Sequence, residues 1–241
     1  MHRPRIGITC DIEAVPDSDQ VRFAVRSNYA DAVLSAGGDP VLLVPYADLV
    51  PAHISQCDGF VLTGGDDPAM EPFGVETDPR VTRVHPDRQQ YETVLLQHLK
   101  DHHPDAPVLG VCLGMQMMAL VDGGGLDQYM PDSMPKEHHW DAVHDVVPTE
   151  PLPHQMRDVF HTNMFPSGSV HSRHKQAVSR AGSLLVVASA RDGVIEAVAS
   201  PTRQFYLGVQ WHPERTDNNE LGLNLFQTFV SACESAVRVR V

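Results

Sequence analysis

The chain has 241 residues, 42% hydrophobic and 20% charged, which fits one large α/β domain (1–241) with material for a substantial core. Its 18 lysines and arginines against 31 aspartates and glutamates give a formal charge of −13, a field that repels phosphate backbones and anionic lipid. Nucleic-acid and membrane-surface roles are thereby disfavoured, no apolar run approaches bilayer length, and small-molecule substrates remain open.

In chain order, Ile6-Gly7-Ile8-Thr9-Cys10 is a short apolar run ended by Asp11, suited to a buried parallel strand. Ser27 to Ala36 has helical spacing (Tyr29, Ala32, Val33, Ala36), with Ser27 or Asn28 as cap and Gly37-Gly38 as the stop. Val41 to Val44 reads as a second strand and Gly59 to Leu62 as a third. The third opens into the turn-rich Thr63-Gly64-Gly65-Asp66-Asp67-Pro68. Arg88 to His102 predicts a helix, Pro107 to Val111 a fourth strand, and Met115 to Val121 a helix directly after it. Strands alternating with helices imply right-handed crossovers and a parallel sheet covered on both faces.

The last third changes character. Leu184 to Ala188, Val194 to Val198 and Phe205 to Val209 are short strands, and a final helix runs from about Glu220 to Ser235. Residues 122–170, rich in proline, glycine and histidine, carry no readable period. Met1-His2-Arg3-Pro4-Arg5 leads straight into a strand with no signal-peptide core, and Cys10, Cys57, Cys112 and Cys233 show no CxxC spacing. Reduced thiols in a cytoplasm are the expectation.

One segment carries chemistry. Gly110-Val111-Cys112-Leu113-Gly114-Met115-Gln116 lies between a strand and a helix in the nucleophile-elbow pattern, G-x-nucleophile-x-G. So sharp a turn strains the nucleophile's backbone and leaves no room for side chains two residues away on either side, hence Gly110 and Gly114. It also sets the sulfur at a helix amino terminus, where the dipole and free N–H groups favour negative charge, and it aims the Leu113 N–H at a developing oxyanion. Most free cysteines at strand ends are inert packing, so the pattern needs a partner. Gly208-Val209-Gln210-Trp211-His212-Pro213-Glu214 supplies one. In an extended segment, residues two apart project to the same side, so Glu214 can hold one nitrogen of His212 while the other faces Cys112.

These two segments resemble the signatures of class I glutamine amidotransferase-like proteins, G-x-C-x-G-x-Q and G-V-Q-[WF]-H-P-E. The whole layout is most similar to the γ-glutamyl-γ-aminobutyrate hydrolase (peptidase C26) family within that superfamily. Pro4 to Thr9 resembles its first strand and Asn28-Tyr29 the start of its first helix. Leu62 to Pro68, with Pro72-Phe73-Gly74, resembles its glycine-rich loop, Val170 to Val178 its N-S-x-H-H-Q-A segment, and Asp192 to Ala197 its D-G-x-[IV]-E-A segment. The chain departs from that group at Leu113, where arginine is frequent, at His171 and Lys175, and at Arg88-Gln89 in place of an R-D pair.

The resemblance implies a flavodoxin-like α/β fold with a mostly parallel central sheet and helices on both faces. It further implies a cysteine-dependent hydrolase that releases glutamate from a small γ-glutamyl amine through a thioester. By matched position, Cys112, His212 and Glu214 are catalytic, and Gly65 and Leu113 supply the oxyanion hole. Gln116, Ser172 and His174 then recognise the glutamyl end. A homodimer is compatible with it. Two other readings stay open: a glutaminase subunit serving a separate synthetase, and a catalytically silent ligand-binding protein. No cofactor or metal is expected: His102-His103, His138-His139, His144, His171 and His174 form neither HExxH nor a cysteine–histidine cluster, so they read as solvated or hydrogen-bonded. Met115, Met117 and Met118 read as core packing.

Overall fold

The computed structural model describes residues 3–135 and 138–240, with side chains as far as Ala236. Met1 and His2, part of the amino-terminal segment read above, lie outside the described residues. The strands are β1 (Arg5–Thr9), β2 (Asp11–Ala14), β3 (Val21–Ala24), β4 (Asp39–Leu43), β5 (Gly59–Leu62), β6 (Val108–Val111), β7 (Gly125–Asp127), β8 (Trp140–Pro148), β9 (Gly168–Arg173), β10 (Ala177–Arg180), β11 (Leu185–Ala190), β12 (Ile195–Ala199) and β13 (Tyr206–Val209). The helices are α1 (Ser27–Ser35), α2 (Val50–Gln56), α3 (Pro86–His102), α4 (Leu113–Val121), α5 (His154–Phe160) and α6 (Leu223–Arg240).

A nine-stranded sheet runs in the order β4-β1-β5-β6-β13-β12-β11-β8-β9. From β4 to β13 neighbouring strands are parallel, and β5, β6 and β13 are buried along their whole length, as continuous apolar runs require. β13 is the seam: it pairs parallel with β6 on one side and antiparallel with β12 on the other. β12, β11, β8 and β9 then continue antiparallel. The long β8, with its mixed burial, lies in the stretch that showed no period; a half-exposed strand interrupted by a register shift leaves little alternation to read.

Helices cover both faces. On one, α1 and α6 bring Val33, Phe226 and Phe229 against Ile6, Ile8, Val111 and Trp211. On the other, α2, α3 and α4 bury Ile54, Leu95, Leu99, Met115 and Met118 against Phe60, Leu62 and Val108. The three helix methionines are fully buried packing, as expected. Several expectations need correction. α1 starts one residue after Arg26 with no side-chain cap, so neither Ser27 nor Asn28 caps it. α3 begins at Pro86, whose fixed φ and missing N–H suit a first helical position, rather than at Arg88. The hairpin of β2 and β3 and the short α2 were not anticipated, because the hairpin is largely exposed and α2 spans only seven residues.

Candidate active site

Two adjacent strands, β6 and β13, deliver the central residues. The Cys112 N–H donates to the Val209 carbonyl at 2.8 Å, so the residues leaving the two strands emerge side by side. Cys112 itself adopts φ 52°, ψ −104° and caps α4. A non-glycine residue there carries on the order of 1–3 kcal/mol of strain, the elbow geometry read from the sequence. The glycines accommodate it. A Cβ on Gly110 would lie 2.8 Å from the Gly114 carbonyl carbon, and one on Gly114 would lie 2.3 Å from the Leu62 carbonyl oxygen.

His212 and Glu214 meet Cys112 from β13. The imidazole shares a hydrogen bond with Cys112, and its Nδ1 lies 2.8 Å from Glu214 Oε1, a carboxylate with a fully buried side chain. Burial alone would lower the His212 pKa; the hydrogen bonds to Cys112 and Glu214 and their charges outweigh it and hold the ring up at about 10. The pair is not made by strand alternation. β13 ends at Val209, and Glu214 comes round in a single 3₁₀ turn, Pro213–Arg215. His212 is fixed at both ends of its own peptide: its N–H donates to the His171 carbonyl at 2.9 Å, and its carbonyl accepts from Thr216 Oγ1 at 2.9 Å.

The glycine loop closes over this pair. Gly64 lies so near that a Cβ there would sit 3.0 Å from His212 Cε1 and 3.4 Å from Cys112 Cβ. Its N–H is already donated to Tyr29 Oη at 2.9 Å, whereas the Gly65 and Leu113 N–H groups have no acceptor among the described residues. Beneath the loop sits Arg88, fully buried. It donates to the Thr63 carbonyl at 2.8 Å and the Gly64 carbonyl at 3.1 Å, and it pairs with Glu92 and Asp11 at 3.1 Å each. The sequence reading treated Arg88 only as a departure from a family pair and missed this role; its helical position, i to i+4 from Glu92, was the available signal. It missed Gln210 too, whose Nε2 donates to Cys112 Sγ at 3.5 Å.

The pocket in front of Cys112 encloses about 890 Å³ and is reached by Gln116, His174, Lys175 and Arg215. Asp66 and Asp67 stand on its rim, and burial pushes the Asp67 carboxyl up to about 6. Gln116 is buried and donates from Nε2 to the Gln176 carbonyl and to Gln210 Oε1, each at 3.3 Å. Ser172 does not belong with these. It is fully buried behind the pocket wall and donates its hydroxyl to the His139 carbonyl at 3.0 Å, because β9 turns that face inward. The other cysteines, Cys10, Cys57 and Cys233, are buried. Among the described residues no helix is long and apolar enough to cross a membrane.

A parallel sheet flanked by helices, with a cysteine elbow at the carboxyl end of one central strand and a histidine after the next, defines the class I glutamine amidotransferase-like fold. The glutaminase domain of Trypanosoma brucei CTPS has it: TM-score 0.66 at 16% identity, covering 96% of this chain and 94% of that one. A glutamine amidotransferase-like protein of Rickettsia prowazekii is 29% identical over 95% of this chain and 98% of its own length. A gamma-glutamyl-gamma-aminobutyrate hydrolase of Escherichia coli K12 is 26% identical over 97% and 95%. The Peptidase C26 family model matches residues 4–214, and the chain belongs to that family of hydrolases.

Proposed function

We propose that the enzyme hydrolyses the γ-glutamyl amide bond of a small γ-glutamyl amine, with Cys112 as nucleophile. The observation that carries this reading is the strained Cys112 held at the start of α4 while sharing a hydrogen bond with an imidazole that Glu214 anchors at 2.8 Å. In this mechanism Cys112 Sγ attacks the γ-carbonyl carbon, and the N–H groups of Leu113 and Gly65 stabilise the oxyanion. The C–N bond breaks as protonated His212 gives its proton to the leaving amine. A water then attacks the thioester, His212 takes its proton, and glutamate leaves as Sγ is released. Glu214 keeps the imidazole oriented and stabilises its positive form.

Gln116 and His174 form the wall that meets the glutamyl end, in keeping with their place on the pocket. Asp66 and Lys175 supply charges of both signs, which suits the zwitterionic α-carbon of that group. The gamma-glutamyl-gamma-aminobutyrate hydrolase of E. coli, similar along nearly the whole chain, supports an amine leaving group over ammonia. The chain acts in this reading as a single domain of 1–241. Leu113, which lacks the arginine frequent after the nucleophile in the hydrolase group, favours the second reading, a glutaminase serving a synthetase.

The test is glutamate release by the isolated protein. Efficient turnover of a γ-glutamyl amine with slow turnover of glutamine is expected, and Cys112→Ala should abolish it. Negligible activity on both until a synthetase is added would overturn the hydrolase in favour of the glutaminase.

A further inference from the structure

The sequence reading dispersed the histidines of the middle segment as solvated or hydrogen-bonded groups. The structure instead gathers three of them around one carboxylate, outside the Cys112 constellation. His139 just precedes β8, His144 lies within it, His174 follows β9, and Glu196 is on β12. One donor atom from each lies within 4.8 Å of all the others.

The spacing within the cluster is informative. Glu196 Oε1 lies 3.3 Å from His139 Nδ1, 3.4 Å from His144 Nε2 and 3.5 Å from His174 Nε2. His139 Nδ1 and His174 Nε2 are 3.2 Å apart. A tetrahedral zinc ion with bonds of about 2.0–2.1 Å needs ligand atoms roughly 3.3 Å from one another. Four of the six edges therefore already have the length that such an ion would impose.

The outer ring nitrogens set the tautomers. His139 Nε2 faces Asp192 Oδ2 at 2.9 Å, His174 Nδ1 faces the Gln176 carbonyl at 2.8 Å, and His144 Nδ1 is directed at the Asp145 carbonyl at 3.4 Å. Carbonyls and carboxylates only accept, so with a cation in the centre each outer nitrogen would carry the proton and each inner one would present a lone pair. This is the arrangement that orients metal-bound imidazoles, with a carboxylate or carbonyl behind each ring. Among the described residues His144 Nε2 and both oxygens of the fully buried Glu196 lack a partner in hydrogen-bond geometry, and Oε1 is met only by the inner ring nitrogens at 3.3–3.5 Å. A proton on an inner nitrogen can bridge it to Glu196 Oε1 but leaves Oε2 without a partner among the described residues. A divalent cation takes all four at once, and Glu196 with Asp192 balances its charge.

We propose that His139, His144, His174 and Glu196 bind one divalent, zinc-type cation in a closed tetrahedral site. All four positions are filled by protein, so the ion is structural and holds no reactive water. It ties β8, β12 and the segment after β9 together behind the pocket wall. The Gln176 carbonyl accepts from both His174 and Gln116, so the ion steadies the pocket from behind.

The experiment uses the full chain carrying Cys112→Ala, so that the sulfur cannot compete for metal. Chelator-stripped protein titrated with Zn²⁺ should bind one ion per chain, with a rise in Tm, and Co²⁺ should give the visible absorption of a tetrahedral site. Asp192→Asn, half-exposed and outside the ligand set, should weaken Zn²⁺ affinity by about 10–100-fold while the protein stays folded by circular dichroism. His144→Ala should weaken it further. No uptake of Zn²⁺, or uptake that neither variant changes, overturns the proposal and leaves a protonated histidine cluster or adventitious surface binding as the account.

Discussion

Replacing Gly114 by alanine tests whether the elbow's geometry governs turnover. The new Cβ would lie 2.3 Å from the Leu62 carbonyl oxygen, 2.8 Å from Leu62 Cβ and 2.9 Å from its carbonyl carbon. Ordinary contact begins near 3.4 Å, so relief requires roughly 1 Å of separation between the end of β5 and the start of α4. Neither side can yield cheaply, since the obstacle is mostly backbone. Overpacking of this kind costs about 1–3 kcal/mol, which lowers Tm by roughly 2–12 °C in a chain of this size. β5 leads into the Gly64-Gly65 loop and α4 carries Cys112, so the same 1 Å shift separates nucleophile from oxyanion donors. A misplacement of that size costs on the order of 10²-fold in rate. The assay is kcat on a γ-glutamyl amine beside a thermal melt. A folded Gly114→Ala protein with wild-type Tm and kcat would refute the close approach and the geometry built on it.

Other outcomes follow from the same contacts. His212→Ala should lower kcat more than Glu214→Gln, because the imidazole moves protons in both half-reactions while the carboxylate orients it; equal losses would refute that division. The His212 pKa stands raised to about 10 against its ordinary 6.5, so the stability it confers is complete below about pH 6.5 and disappears as pH rises through about 10. Glu214→Gln removes part of that lift, so the gap in urea midpoint between wild type and variant should narrow from pH 6.5 to 10, and a gap that widens would contradict it. Arg88→Ala should cost about 3–5 kcal/mol in urea unfolding, because it strands the buried Glu92 carboxylate, and a loss under 1 kcal/mol would show that water or rearrangement compensates.

Within the parallel half of the sheet, β1, β5, β6 and β13 were legible because they are almost wholly buried and read as unbroken apolar runs bounded by turns. Cys112, His212 and Glu214 were legible because each lies in a short segment flanked by glycine or proline. What failed depends on contacts distant in sequence. β8 has one wet face and a register shift, so no period survives. Ser172 reads as a wall residue by alignment to a motif, but a strand facing inward decides otherwise. The proximity of Glu196 to His139 and His144 spans more than fifty residues and three strands, a distance over which no local pattern operates. Arg88 has the same character: its acceptors, Thr63 and Gly64, belong to a loop that only tertiary folding brings over it.

The seam at β13 separates two tasks that most pockets mix. On its parallel side lie the elbow, the glycine loop and the strands that set them; on its antiparallel side lie β12 and β8, with the segment carrying His174 and Lys175. His212 leaves the strand shared by both. Residues can change at the Trp140 and Arg173 end of the β8–β9 pair, where it borders the pocket, without passing through the register that aligns β6 with β13. The chain can thus reshape the part of the pocket wall that Trp140, Arg173, His174 and Lys175 form while its reactive sulfur and imidazole stay where they are, so a lineage built on this frame can remodel one half and inherit the other.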